Sequence, residues 1–187
     1  NHAGSTAMAD RKDALVAAAG FINKVPEIVK EYGNEFTVAT VGTIKVTPHS
    51  VNVIPGTCTF SLEIRDQSAE VMKLIENHLR QLLEDICKKY GVTSTFVPTS
   101  YHDPAPMSEL VRGTIEEAVK ELGIDYTVIP SGAFHDSLIM TSVFPTGMIF
   151  VPSKDGISHS RYEYTAPEDI ENGCNVLLNT VLKLDEK

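Results

Sequence analysis

The chain has 187 residues, 42% hydrophobic and 22% charged, which suits one globular domain or two small ones and excludes disorder, a collagen-like repeat and a coiled coil. Its 25 acidic residues outnumber 16 basic ones for a formal net charge of −9, so a counterion-releasing grip on nucleic acid has no electrostatic basis. Apolar runs fall far short of the roughly 20 residues a membrane-spanning helix needs, and Asn1–Lys12 has no apolar signal-peptide core; a soluble, cytoplasmic protein with no nucleic acid or membrane partner is expected.

The sequence opens without an initiator Met, on polar residues directly before a helix, as a chain cut from a longer one would. From Asp10 to about Lys24, the apolar residues Ala14, Leu15, Ala18, Phe21, Ile22 and Val25 recur at helical spacing behind Asp10 as N-cap; Pro26 kinks or restarts the helix and Gly33 ends it. Phe36 to Thr47 is rich in Val, Thr and Ile with partial alternation, and Pro48 to Ser50 make a turn, so two strands joined by that turn are expected. The cleanest period-two signal follows: Cys58, Phe60, Leu62 and Ile64 face inward, while Thr59, Ser61, Glu63 and Arg65 face solvent or a ligand. Ser68 caps a long helix with one apolar stripe of Met72, Ile75, Leu79, Leu82, Leu83 and Ile86, closed by Lys88, Lys89 and Gly91. Thr93 to Val97 reads as a further strand. This order predicts a split βαβ unit over about Ser5 to Ser100, an antiparallel sheet with two helices on one face.

Pro98 to Met107, with three prolines, reads as a linker. Beyond it the pattern is helix Ser108–Leu122, strand Tyr126–Ile129, a short helix near Asp136–Thr141, strand Gly147–Val151, a loop bearing Ser, Gly and His, and a helix from about Asp169 striped by Ile170, Cys174, Leu177 and Val181. Strands alternating with helices point to a parallel α/β layer, but two strands are too few to complete one, so this half reads as part of a domain. The fold class expected is α+β.

Cys58, Cys87 and Cys174 are widely spaced among apolar residues and read as buried structural thiols in a reducing compartment. Among six histidines, His49, His78 and His102 sit in turns or in the long helix and read as solvated or structural. His2, His135 and His159 are framed by small and polar residues in NHAGST, SGAFHDS and DGISHS, where backbone can come close to a ligand, and Asp136 stands ready to orient His135. No HExxH helix and no GxSxG elbow is present, and a metal centre wants at least three well-placed donors. The chain carries fragments of a site.

NHAGSTAM followed by RKDAL, then VNVIPG, FSLEIRD, SGAFHDS and MIFVPSKDGISHS with EYT behind it, resemble in order the metal-dependent amidohydrolases of the hydantoinase/carbamoylase type. These include N-carbamoyl-L-amino-acid hydrolase, beta-ureidopropionase and allantoate amidohydrolase, relatives of aminoacylase and the dinuclear-zinc exopeptidases. The resemblance covers essentially the whole chain. It implies a catalytic α/β domain split in sequence around an inserted ferredoxin-like lid that also forms a homodimer interface. On that pattern residues 5–100 are the lid, and residues 1–4 and 101–187 are a partial catalytic domain lacking its N-terminal half, which supplies most metal ligands and a glutamate that shuttles the proton.

The same resemblance implies site residues one at a time. His2 matches the lid histidine that reaches the partner subunit's active site and helps polarise the scissile carbonyl. Asn52 and Arg65 match residues that grip the substrate carboxylate, for which a planar guanidinium fork is suited. Gly132 and Ala133 match backbone at the same carboxylate, His135 a substrate-contacting or orienting residue, and His159 a metal ligand. The complete enzyme would hold two divalent ions, zinc or manganese, and hydrolyse a C–N bond of a small N-carbamoyl amino acid or allantoate-like ureido acid; this chain alone is expected to be inactive. Two departures stand out: HAGTTPM of the family becomes HAGSTAM, with Ala7 for proline, and GAGHDA becomes GAFHDS, with Phe134 for glycine. The alternatives are a stand-alone dimerisation or ligand-binding module, or a related dinuclear aminoacylase or aminopeptidase.

Overall fold

In the computed structural model, which describes residues 1–186, the first helix starts at Asp13 rather than Asp10. The Asp13 carboxylate accepts from the amides of Leu15 (3.0 Å) and Val16 (3.1 Å), two donors the first turn leaves without a helical acceptor. This helix, α1 (Ala14–Tyr32), runs on through Pro26 to Gly33, whose amide donates to the Val29 carbonyl. Helix α2 (Ala69–Tyr90) begins where the Ser68 hydroxyl accepts from Val71 and ends at Gly91, whose φ of 62° is the left-handed geometry that glycine tolerates.

Between the helices lie β1 (Val38–Thr40), β2 (Ile44–Thr47), β3 (Thr57–Phe60) and β4 (Glu63–Arg65). β1 pairs antiparallel with β4 and β2 with β3, so the four are one hairpin in two pieces. Thr40 sits opposite Glu63 and Ile44 opposite Phe60, so three residues, 41–43, face two, 61–62. One extra residue in the first arm is the signature of a β-bulge. It explains why alternation there is only partial: Ala39 turns inward before the bulge, Val41 at its start and Val46 after it, a switch from odd to even positions. The second arm keeps the expected parity, with Cys58, Phe60, Leu62 and Ile64 half-buried and Thr59, Ser61 and Glu63 exposed, while Arg65 at its end is itself half-buried.

Phe21 and Val25 of α1 meet Ile75 and Leu79 of α2 in a fully buried cluster, and the inward residues Ala39, Phe60, Leu62 and Ile64 of the hairpin close it from below. The Phe21 and Phe60 rings are 5.5 Å apart between centroids. Asp66, just after β4, ties three places to that strand: its carboxylate accepts from the Thr37 hydroxyl, from Asn34 Nδ2 (3.3 Å) and from the Ser68 amide (2.7 Å), joining the end of α1, the approach to β1 and the start of α2. The backbone of Asn1–Ala3 also belongs here, paired with the loop between β2 and β3: the Ala3 amide donates to the Asn52 carbonyl (2.8 Å) and the Ile54 amide to the Asn1 carbonyl (2.9 Å). The predicted strand at Thr93–Val97 joins no ladder among the described residues; the Arg80 guanidinium lies 3.6 Å from the Phe96 ring centroid and fastens that segment to α2 instead.

The chain divides into two compact units, Asn1–Pro104 and Ala105–Lys187. The second contains α3 (Glu109–Glu121), the short α4 (Ser137–Met140) and α5 (Pro167–Asp185). α3 packs on α5, and the buried residues of the two helices are small: Thr114, Ala118 and Val119 on α3, Val176 and Thr180 on α5. Lys183 Nζ bonds Glu121 Oε1 at 2.6 Å across the pair. Gly147 lies so close to Val111 that a Cβ there would stand 2.6 Å from its methyl, and one on Gly173 would stand 2.5 Å from a Val151 methyl, so the 147–151 segment is pressed onto both helices. The stripe expected to seat α5 is the other face. Ile170, Cys174, Leu177 and Val181 are exposed, because the helix turns its small residues toward α3. The predicted strands 126–129 and 147–151 join no ladder among the described residues.

Among the described residues, no helix is long and apolar enough to cross a membrane. The cysteines correct the expectation of uniform burial: Cys58 and Cys87 are half-buried and Cys174 is open to solvent. Burial, with the Asp13 carboxylate adding a smaller push, raises the Cys58 thiol above its ordinary value, which keeps it protonated and unreactive. Because Leu79 is wholly buried at the meeting of both helices and the hairpin, Leu79→Ala should destabilise the first unit by about 2–5 kcal/mol, read as a lower urea midpoint.

Candidate functional site

Chain pairing brings His2 and Asn52 together from distant parts of the sequence. His2 bridges Val53, the residue after Asn52, and its carbonyl accepts from the Thr6 hydroxyl. The ring folds back so that Nδ1 accepts from the Gly4 amide at 3.0 Å, which leaves the proton of the neutral imidazole on Nε2. A Cβ on Gly4 would lie 3.1 Å from the ring, so the glycine permits this close turn. Arg11 braces the segment by donating to the carbonyls of Ala3 and Thr6. Asn52 is exposed, and its Oδ1 accepts from the Ser50 hydroxyl at 2.7 Å.

Arg65 stands at the other end of the hairpin, opposite Val38. The extended arm from Thr57 at the loop end to Arg65 spans roughly 25 Å at the rise of a strand. Within one copy of the chain, therefore, the hairpin holds Arg65 apart from the His2 and Asn52 pair. The guanidinium is ion-paired: Nη2 donates to Glu63 Oε1 at 2.8 Å, with the Arg65 side chain 37% and the Glu63 side chain 60% exposed. Residues two apart on a strand share a face, so the spacing itself carried that partner.

In the second unit, Gly132, Ala133 and His135 lie on one exposed loop leading into α4. The Ser131 hydroxyl donates to the Ala133 carbonyl (3.2 Å). His135 Nδ1 accepts from the Ser137 amide at 3.0 Å and lies 2.9 Å from the Ser137 hydroxyl, so Ser137, and not Asp136, orients the ring. Phe134, the departure from the family's glycine, is half exposed beside them.

His159 adopts a φ of 55°, uncommon for a residue with a Cβ. Its amide donates to Glu163 Oε2 at 2.9 Å, while the Glu163 amide donates to the Ser160 carbonyl at 3.0 Å, a closed turn that holds the histidine in place. Beside it, Lys154, Asp155, Ile157, Tyr162 and Tyr164 line an open depression of about 520 Å³. Among the described residues no three His, Cys, Asp or Glu side chains converge as a metal centre would require, so these residues do not by themselves form one. His159 is a single donor. Glu163 was not evident as its partner from the sequence, since a side chain reaching back to a backbone amide across an irregular turn has no periodic signature.

Against known families, the pattern of peptidase family M20/M25/M40 matches residues 1–183. An N-carbamoyl-L-amino acid amidohydrolase of Geobacillus stearothermophilus is 39% identical over 183 residues, 98% of this chain and 44% of that protein. An allantoate amidohydrolase of Bacillus subtilis is 34% identical over 184 residues, again 98% of this chain and 44% of the relative. Among solved structures, a hydantoinase/carbamoylase family amidase from Burkholderia vietnamiensis superposes with a TM-score of 0.91 at 34% identity, over 98% of this chain and 44% of that one. The chain thus spans somewhat under half the length of the relatives it matches.

Removing the Glu163 carboxylate should release the His159 amide. In Glu163→Ala its hydrogen exchange should rise by roughly tenfold, the scale of one net hydrogen bond, and Glu163→Gln, which keeps an acceptor, should recover most of the protection; exchange followed by NMR reads both.

Proposed function

The chain belongs to peptidase family M20/M25/M40, and from that membership we propose that it is the lid and C-terminal catalytic part of an amidohydrolase that cleaves a C–N bond in ureido acids. The observation that carries the reading is a match along nearly the whole chain to N-carbamoyl-L-amino acid and allantoate amidohydrolases, alongside the ordered motifs from NHAGSTAM to GISHS. The substrates in those names share two groups, a carboxylate and a ureido or carbamoyl nitrogen. Residues 5–100 are the lid and residues 101–187 belong to the catalytic domain, while residues 1–4, which the sequence motifs assign to the catalytic part, pair with the lid's β2–β3 loop. Two features of the second unit support this division: its segments 126–129 and 147–151 find no ladder among the described residues, and Ile170, Leu177, Leu178, Val181 and Leu182 of α5 are exposed. Both are what a sheet and helix layer awaiting the rest of a domain would present.

The roles follow from the chemistry of each group. Arg65 grips the substrate carboxylate through its guanidinium, with Asn52 as a neutral hydrogen-bonding partner and the Gly132–Ala133 backbone at the same group. His2, its Nδ1 committed to the Gly4 amide, presents Nε2–H to the carbonyl that is attacked. His135 contacts or orients the substrate, held by Ser137. His159 supplies one donor to a centre of two divalent ions, zinc or manganese, whose other donors lie outside these residues. The hairpin's length favours a homodimer built through the lid, because two copies can bring the His2 and Asn52 end of one hairpin to a site that the Arg65 end of the other also serves.

Joining the chain to the part of the Geobacillus stearothermophilus relative that it leaves unmatched tests the whole reading. The fusion should take up divalent metal and hydrolyse an N-carbamoyl-L-amino acid, and His159→Ala should abolish both. The 187-residue chain alone should retain less than stoichiometric zinc or manganese after dialysis. A folded, metal-loaded fusion inert toward every ureido acid would refute it. Assembly is checked by sedimentation of the chain at tens of micromolar, where a dimer is expected and a monomer would remove the two-copy arrangement.

A further inference from the structure

We propose that Glu63 sets the carboxylate affinity of Arg65, acting as an internal competitor that admits monocarboxylates and disfavours ligands carrying a second acidic group nearby. This rests on the reading of Arg65 as the carboxylate-binding residue and adds the element that determines its selectivity. Strand alternation places Glu63 and Arg65 on one face of β4, and Glu63 Oε1 lies 2.8 Å from Arg65 Nη2. Chemically, the Glu63 side chain is what a substrate carboxylate would be: a planar anion that occupies a guanidinium N–H. The incoming carboxylate must displace it or share the fork with it.

The pair is open to water, with the Glu63 side chain 60% exposed, so the competitor can swing away. Asp66, next along the chain, is held by Thr37, Asn34 and Ser68. In the absence of ligand, Glu63 holds the guanidinium over the outer face of the hairpin. Once a ligand is bound, the displaced Glu63 charge stays within reach. It then repels any second carboxylate on the ligand, while a single carboxylate remains paired with the guanidinium.

The test uses the 187-residue chain and its Glu63→Gln variant, with the Arg65 Nε–Hε resonance followed during titration at constant ionic strength. The probes are N-carbamoylglycine, its neutral amide and N-carbamoylaspartate. For N-carbamoylglycine, half-saturation should fall about two- to fivefold in Glu63→Gln, the range that an exposed ion pair commands, with a larger fall for N-carbamoylaspartate and no change for the amide. Glu63→Asp, which keeps the charge on a shorter stem, should lie between the two. Equal half-saturation in the wild type and Glu63→Gln, with the Arg65 signal still moved by carboxylates, would overturn the competitor while leaving Arg65 as a carboxylate binder. A signal that no carboxylate moves in either protein would overturn both.

Discussion

An extended backbone needs a second backbone beside it, because each residue carries a donor and an acceptor that must be satisfied. That requirement separates the two units of this protein. In the first, every piece of ladder is supplied locally: one hairpin folds on itself, and the N-terminal residues pair with its loop. Two amphipathic helices can then close over its inner face and form a complete small core around Phe21, Val25, Ile75 and Leu79. In the second, among the described residues, the apolar stretches 126–129 and 147–151 join no ladder, and the latter is pressed onto both helices. Helices α3 and α5 approach through threonine, alanine and valine, and α5 leaves Ile170, Leu177, Leu178, Val181 and Leu182 exposed.

Helices were the most legible part of the sequence, because their caps and stripes are local. Ser68, Ser108 and Gly91 mark their ends as expected, and Ile75 and Leu79 lie at the centre of a stripe that can be read at a spacing of three and four. Asp13 took the cap that Asp10 offered on paper, since the chain at residues 8–10 forms a tight turn first. Strand expectations were right where the partner was close in sequence, as at 57–65, and failed at 93–97, where periodicity describes a pattern of side chains and says nothing about a neighbour. The α5 stripe misled for a related reason: amphipathicity identifies an apolar face but cannot say which of two faces a given partner will take, and here a narrow, small-residue face fits α3.

The family was carried by short, ordered motifs, and the comparisons bear out that resemblance over nearly the full chain. What motifs could not reveal was the company each residue keeps. Four of the named positions, His2, Asn52, His135 and His159, are held by hydrogen bonds made within about four residues in sequence, to Gly4, Ser50, Ser137 and Glu163. Loops that fix their own polar side chains can present them in a set direction without the support of a large core.

The extra residue at 41–43 has one further effect. In a regular hairpin, sliding one arm past the other by two residues preserves which side chains point inward, so alternative alignments compete with the native one. Here the inward positions of the first arm change parity partway along, and a slipped alignment would carry the bulge away from the place where that change occurs. Ala39 and Val46 could then no longer both lie on the more sheltered face of the hairpin. The irregularity thus works as an indexing mark: it makes one alignment of the two arms distinguishable from its neighbours, and so specifies where along the outer face Arg65 will stand.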